Sequence, residues 1–478
     1  MTTTADDPGE TTGPAPIDAA DATARRTLVV AVLGFFVVTL DAVVVNVALP
    51  SIREDTGSGI AGLQWVVDGY TLAFAALLLW GGALSDRIGA RRAFAAGMAM
   101  FAVASAACGA APDLVSLVAA RVVQGGAAAV MMPASMSLIR AAYPDPDRRA
   151  WAIGIWAMGG AAASTSGPLL GGLLTLVSWR WIFFVNLPVG IVALALVLRA
   201  ERSPRQHQTF DWRGQLAAVV AMAALTFGTI EAGSHGFGAP LVLGALAVAV
   251  LAVVAFVVTE RRVADPVVPL GLFAVRNVRI ANAVGFAFVF CYYGLPFVMS
   301  LHLQEDRGLS SFATGVTFLP MMVVGAMLTP FSARVTARFG PRAVIGAGMG
   351  SMVTGFVVLA ALPAGAPVAA IAAGMLLVGL GGPFTAPPIA AVLLGSVPGD
   401  LAGTASGVFN TSRQLGGALA VAAFGGLLSL GSGDLTGLRV SLVVSAGVAL
   451  AAGLSAARID TAMARDDPAV AEGAPGEQ

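Results

Sequence analysis

The chain has no lysine, and all 27 of its basic residues are arginine. Charge of either sign is scarce. Only 11% of the 478 residues carry it, against about a quarter in an ordinary globular domain, which leaves too little polar surface to coat a water-soluble body of this size. The missing lysine reads as a coding bias shared with the heavy Ala, Gly and Val content, because a membrane protein has no physical need to exclude that residue. Only two cysteines occur, Cys108 and Cys291, both in apolar stretches. That excludes a disulfide framework and leaves them as small buried hydrophobes. No P-loop, zinc-ligand spacing or nucleophile motif is present, and the glycine-rich runs lie inside apolar stretches rather than after a soluble strand. Nothing implies a cofactor, a metal or an enzyme. Acidic and basic residues balance at 27 each, and the lack of a soluble basic face argues against nucleic acid as a partner.

What fills the chain instead is apolar sequence: 57% of residues are hydrophobic and the mean hydropathy is +0.84. Apolar windows fall at 27–49, 60–84, 93–111, 114–139, 150–175, 180–198, 214–231, 238–259, 278–302, 312–331, 342–361, 365–393, 403–429 and 437–457. Most are long enough to cross a bilayer as a helix, so fourteen spans are expected. Arginine concentrates in alternate loops. Of the 27, 21 lie on one side, four on the other (Arg53, Arg180, Arg307 and Arg439), and two, Arg121 and Arg413, inside spans. The positive-inside rule then puts both termini in the cytoplasm, which an even number of spans allows. Residues 1–24 have no basic n-region ahead of an apolar run and are not a cleavable signal peptide. They and residues 459–478 are polar and expected to be disordered cytoplasmic tails.

The loop Gly82-Ala83-Leu84-Ser85-Asp86-Arg87-Ile88-Gly89-Ala90-Arg91-Arg92 is echoed by Phe331-Ser332-Ala333-Arg334-Val335-Thr336-Ala337-Arg338-Phe339-Gly340-Pro341-Arg342. Such an echo indicates an internal repeat. The resulting layout is a six-helix bundle over 25–200, two inserted helices over 201–262 and a second six-helix bundle over 263–458. In the fifth span, Gly167-Pro168-Leu169-Leu170-Gly171-Gly172 combines a kink with surfaces small enough for tight helix packing.

Charge inside the spans marks candidate function. Asp41, Asp68 and Arg121 each lie roughly eight or nine residues, about 12 to 13 Å, below the same face. A charge at that depth is costly unless paired or wetted. Together the ionised trio carries net −1, and protonating one acid neutralises it. The alternative is that one acid pairs with Arg121 only to hold helices together. Arg413, near the midplane of span thirteen, fits either an anionic ligand or a gating role. Flat apolar walls for a cationic ligand are offered by Trp65, Tyr70, Tyr292 and Tyr293. In the loop after span two, Asp86 sits with Arg87, Arg91 and Arg92, a combination that suits a latch between helix ends and also topology control.

These motifs resemble the major facilitator superfamily, and within it the fourteen-helix drug:proton antiporters of bacteria. The stretch Leu40-Asp41-Ala42-Val43-Val44-Val45-Asn46-Val47-Ala48-Leu49-Pro50 is similar to that family's first-helix signature. Residues 82–92 resemble its cytoplasmic gating motif, and Arg121-Val122-Val123-Gln124-Gly125-Gly126 its fourth-helix motif. Gly167-Pro168 with Gly171-Gly172 resembles the antiporter signature of helix five. Trp179 to Gly190, Phe210 to Gly214, Asn410 to Gly417 and Trp65-Val66-Val67-Asp68-Gly69-Tyr70 resemble further family patterns. The second gating loop departs by lacking an acid. The resemblance implies an all-α integral membrane transporter fold of fourteen helices in the bacterial cytoplasmic membrane, exporting hydrophobic or cationic drugs in exchange for protons. It implies proton coupling at Asp41, Asp68 and Arg121. Gating falls to Asp86, Arg87, Arg91, Arg92, Gly167, Pro168, Gly171, Gly172 and Arg413. Substrate contacts fall to Asn46, Trp65, Tyr70, Gln124, Tyr292, Tyr293 and Asn410. Export of one endogenous metabolite, or a non-transporting sensor or scaffold, are the other readings, and the oligomeric state is left open.

Overall fold

The computed structural model describes residues 17–199, 211–263, 268–398, 401–430 and 435–460, and every regular element among them is helical. The first group comprises α1 (Ile17–Thr56), α2 (Ile60–Ile88), α3 (Ala90–Ala110), α4 (Leu114–Ala142), α5 (Pro146–Thr175), α6 (Trp181–Phe184) and α7 (Asn186–Val197). An inserted hairpin follows, α8 (Trp212–His235) and α9 (Pro240–Glu260). The last group is α10 (Arg276–Leu301), α11 (Ser311–Leu328), α12 (Ser332–Phe339), α13 (Pro341–Ala361), α14 (Val368–Leu394), α15 (Ala402–Leu430) and α16 (Thr436–Ala456). Among the described residues eleven helices are long and apolar enough to cross a membrane. The sixth window is divided, with Val185 separating α6 from α7.

Helix ends follow local chemistry. Asp113 and Ser116 form a capping box at the start of α4, Asp211 caps α8 and Ser310 caps α11, each satisfying amides that a helix N-terminus leaves open. The repeated loops close alike. Gly89 ends α2 at φ 92° and Gly340 ends α12 at φ 79°, a region a side chain rarely adopts. Residues 17–24, expected in a tail, are the first turns of α1. Ile459 and Asp460, expected in the other tail, are fixed by Asn277 and Arg342, since Asn277 exchanges hydrogen bonds with Asp460 and Arg342 donates to the Ile459 carbonyl. The remaining parts of both expected tails, the loop arginines Arg202, Arg205 and Arg465, and Phe210 lie outside the described residues.

Packing relies on small residues. A side chain at Gly125 would strike the Tyr70 backbone, and one at Gly81 the Ala129 backbone, so α2 and α4 approach backbone to backbone as membrane helices do. Helix α8 lies against both α2 and α15, while α9 turns Leu241, Leu243, Val250, Leu251 and Val254 outward.

Hydrogen bonds between the first and last groups gather at the ends of the helices farthest from the chain termini. Arg53 pairs with Glu305 at 2.7 Å, and Gln304 donates to the Val47 carbonyl at 2.9 Å. Gln64 donates to the Val421 and Ala422 carbonyls at 3.0 and 2.7 Å, and Ser311 to the Gly172 carbonyl at 3.1 Å. An open depression of about 910 Å³, lined by Ser51, Arg53, Glu54, Ser58, Gln304 and Glu305, lies at this end.

Candidate functional site

The first group of helices encloses a polar network around Asp41, which has no exposed surface. Its carboxylate pairs with Nη1 of Arg121 and accepts from Nε2 of Gln124 at 2.8 Å and Nδ2 of Asn186 at 2.9 Å. Arg121, also fully buried, donates from Nε to the Val66 carbonyl at 3.0 Å and from Nη1 to Oε1 of Gln124 at 2.8 Å. Its guanidinium lies 4.4 Å from the Tyr70 ring centre and 5.7 Å from that of Phe183. The Ser105 hydroxyl accepts from Gln124 and Asn186 and donates to the Phe183 carbonyl. Five elements contribute: α1, α2, α3, α4 and the α6–α7 break, which turns Asn186 inward. The ion pair is neutral as a whole, and each of its polar atoms except Nη2 of Arg121 has a partner, close to the condition under which buried charge persists.

Asp68 stands apart from this network. It too has no exposed surface, yet neither carboxyl oxygen has a hydrogen-bond partner. Its neighbours along α2 explain the separation. Val66 offers its carbonyl to Arg121 on the α4 side, whereas Gln64, one turn before Asp68, reaches the α15 backbone. Residues four apart share a helix face, so Asp68 lies on the seam with α15 and not among the residues around Asp41.

The proposed ligand contacts scatter. Tyr70 is buried, donating to the Val38 carbonyl at 3.0 Å beneath Arg121, and Gln124 belongs to the Asp41 network. Trp65 faces α8, 6.1 Å from the Phe227 ring. Asn46 is buried against its own helix. Tyr292, Tyr293 and Asn410 keep solvent access. Tyr292 rests beside Gly325 and Gly382 with its ring 5.2 Å from Phe288. Arg413 reaches towards Asn410 and lies 5.6 Å from the Phe409 ring.

The gating candidates divide likewise. Gly167 and Gly171 admit Val43 and Val44 of α1, while Gly172 and the Pro168 carbonyl meet Ser311 and Gly315 of α11. The helix-five motif thus sits where α1, α5 and α11 converge. Arg91 donates to the Val197 and Leu198 carbonyls at the end of α7, a favourable place for a cation. Arg87 and Arg92 flank the same loop. Asp86 is half-buried, and that burial pushes its carboxyl above the usual range, with Arg140 partly opposing. At the opposite end Asp55 accepts from Arg180 at 2.7 Å and Trp179 at 3.0 Å, bonds that hold its carboxyl below the usual range.

Sequence reasoning missed Ser105, Asn186, Gln64 and the Arg53–Glu305 pair. Asn186 lies inside a family pattern, the single signal that could have raised it; uncharged Ser105 in an alanine run carried none.

Residues 31–421 match the pattern of the Major Facilitator Superfamily. The chain is 36% identical over 438 residues to the methylenomycin A resistance protein of Streptomyces coelicolor, covering 89% of this chain and 90% of that protein. It is 37% identical over 411 residues to the cephamycin export protein of Amycolatopsis lactamdurans, covering 84% of each. Among solved structures it superposes on a D-xylose-proton symporter with a TM-score of 0.66 at 15% identity, covering 91% of this chain and 97% of that one, a likeness of fold alone.

Proposed function

Because the chain belongs to the Major Facilitator Superfamily, we propose that it exports hydrophobic, chiefly cationic, drugs or antibiotics in exchange for protons by alternating access, with Asp68 as the proton carrier. It is a multi-pass membrane transport protein and not an enzyme. In this reading the α1–α7 and α10–α16 groups are two six-span bundles, α8 and α9 bring the spans to fourteen, and both termini face the cytoplasm. The end at which the groups are bonded is then the outer one, and the molecule stands closed to the outside.

The observation that carries the assignment is the contrast between two acids. Asp41 is neutralised by Arg121, so its negative charge is already answered. Asp68 is buried with both oxygens unpartnered, where an ionised carboxylate costs several kcal/mol. The outward-closed packing therefore accommodates Asp68 as the neutral acid. A proton taken up from outside permits closure there, and loss of that proton to the inside restores a negative charge for which a cationic substrate competes.

Purified protein in sealed vesicles with an imposed pH gradient tests this. The unmodified chain is expected to move a cationic dye against its gradient, and Asp68→Asn to insert normally but lose proton-driven movement. Undiminished proton-linked transport by that variant would sink the assignment. A second reading, a dedicated exporter of one compound, is favoured by relatives named for single antibiotics. A panel of a cationic, a neutral and an anionic drug separates the two, since a dedicated exporter moves few or none of them.

A further inference from the structure

Taking Asp68 as the proton carrier, we propose that the inserted helix α8 completes the proton site, and that the Thr226 hydroxyl, unbonded in this closed arrangement, is a positioning group that hydrogen-bonds the Asp68 carboxyl when it is ionised.

The register of α8 on α2 is fixed at two levels. Gln215 donates to the Ala76 carbonyl, and Phe227 meets the Trp65 ring. The separation of these contacts is eleven residues on α2 and twelve on α8, so the helices run antiparallel in nearly constant register. Asp68 then lies level with Ala223 and Ala224, and Thr226 two to three residues away, about 4 Å along the axis.

Direction agrees with level. On α2, Gln64 faces α15 and Trp65 faces α8. Asp68 is rotated about 40° from Gln64 towards the Trp65 side, which points it into the corner between α15 and α8. On α8, Gln215, Met222, Thr226 and Gly233 form one stripe. Gln215 meets α2, Met222 packs with Ala75, Ala76 and Leu415, and Gly233 touches Gly426 of α15. Thr226 therefore faces the same corner.

Its hydroxyl is one of five buried threonine hydroxyls without a partner among the described residues, with Thr175, Thr314, Thr385 and Thr411, and the one of these on the face of α8 towards Asp68. Thr71, Thr165, Thr229, Thr317 and Thr329 each donate to the carbonyl four residues back. Thr226 does not. It has no exposed surface, and its oxygen, like both oxygens of Asp68, has no partner. Buried polar atoms left unpaired are costly, and a hydroxyl can serve either protonation state, donating to a carboxylate or accepting from a carboxylic acid. The other charged groups on the neighbouring helices are held elsewhere. Arg121 of α4 is engaged by Asp41 and Val66, with Nη2 alone unpartnered, Arg413 of α15 lies lower beside Phe409, with its Nε unpartnered, and Glu231 and His235 pair with each other at the end of α8.

The test is the pH dependence of Asp68 modification by dicyclohexylcarbodiimide, which attacks the protonated acid, read by peptide mass in the full-length protein. A bond to the charged carboxylate is the stronger one, so Thr226→Val should tighten proton binding about tenfold and move the labelling midpoint up by about one pH unit, with the transport pH profile shifting the same way. Thr226→Ser should match the unmodified chain. Thr226→Ala serves if the valine variant is not recovered. Valine or alanine variants with an unchanged midpoint, or a serine variant that behaves like them, overturn the inference while leaving the Asp68 assignment intact. Full proton-driven transport by Asp68→Asn overturns the assignment and this inference with it.

Discussion

At the scale of the residue, the two buried acids should respond oppositely to the same substitution. Asp41→Asn keeps the shape of the side chain but leaves Arg121 charged, buried and without its counter-ion, a change that in protein interiors costs about 3 to 5 kcal/mol. Asp68→Asn removes no hydrogen bond from the closed arrangement, because none is made there. Thermal unfolding of the detergent-solubilised protein should therefore show Asp41→Asn lowered by many degrees and Asp68→Asn close to the unmodified chain, while transport coupling is lost in the latter. Equal melting of the two variants would contradict the division of roles. The sequence made Asp41, Asp68 and Arg121 conspicuous, since a charge in an apolar span needs no partner to be noticed. It could not say which acid the arginine takes. That choice depends on the rotation of α2, which sends the Val66 carbonyl to Arg121 and the Gln64 side chain to α15. Asn186 and Ser105 escaped because an uncharged polar residue is ordinary in a membrane helix until its neighbours are known.

At the scale of the element, helix α5 is the piece whose sequence said most. The small residues of Gly167-Pro168-Leu169-Leu170-Gly171-Gly172 predict close packing, and the structure supplies the partners, α1 on one side and α11 on the other. A methyl added at Gly172 would sit 2.6 Å from the Ser311 carbonyl oxygen, and the backbone there cannot yield as a flexible side chain would. Gly172→Val should therefore wedge α5 from α11 at the end proposed to face outward, at a cost of about 1 to 3 kcal/mol to the closed arrangement. A cysteine placed at Ser58 reports this, because both native cysteines are buried. Its labelling by an impermeant thiol reagent from outside should rise several-fold in the Gly172→Val background. Unchanged labelling would show that α5 and α11 separate without touching that seam. Eleven spans were legible from apolar length alone among the described residues. The break at Val185 carried a signal too, Pro188, which has no N–H to bond the Phe184 carbonyl four residues back and crowds it.

At the scale of the whole molecule, the closure at the helix ends farthest from the chain termini, the outer side in the proposed orientation, joins two groups of helices through few polar contacts, and Arg53–Glu305 is the only ion pair between those groups among the described residues. Both side chains are about one-third exposed, at 39% and 34%, so the pair is screened and contributes at most about 1 kcal/mol. That is enough to bias a two-state equilibrium by about fivefold, without locking it. A transporter must leave the closed state in every cycle, and a weak latch at the rim suits that need better than a buried one. Charge reversal exposes the bias. Arg53→Glu places two acids together and should open the outer end, raising impermeant labelling of the same Ser58 cysteine, with the effect shrinking as salt is added. Glu305→Arg should do likewise. The double exchange restores an attractive pair across the same gap and should bring labelling back towards the unmodified level. If the double variant labels as freely as either single one, the contact is incidental, and closure rests on the uncharged bonds of Gln64, Gln304 and Ser311 alone.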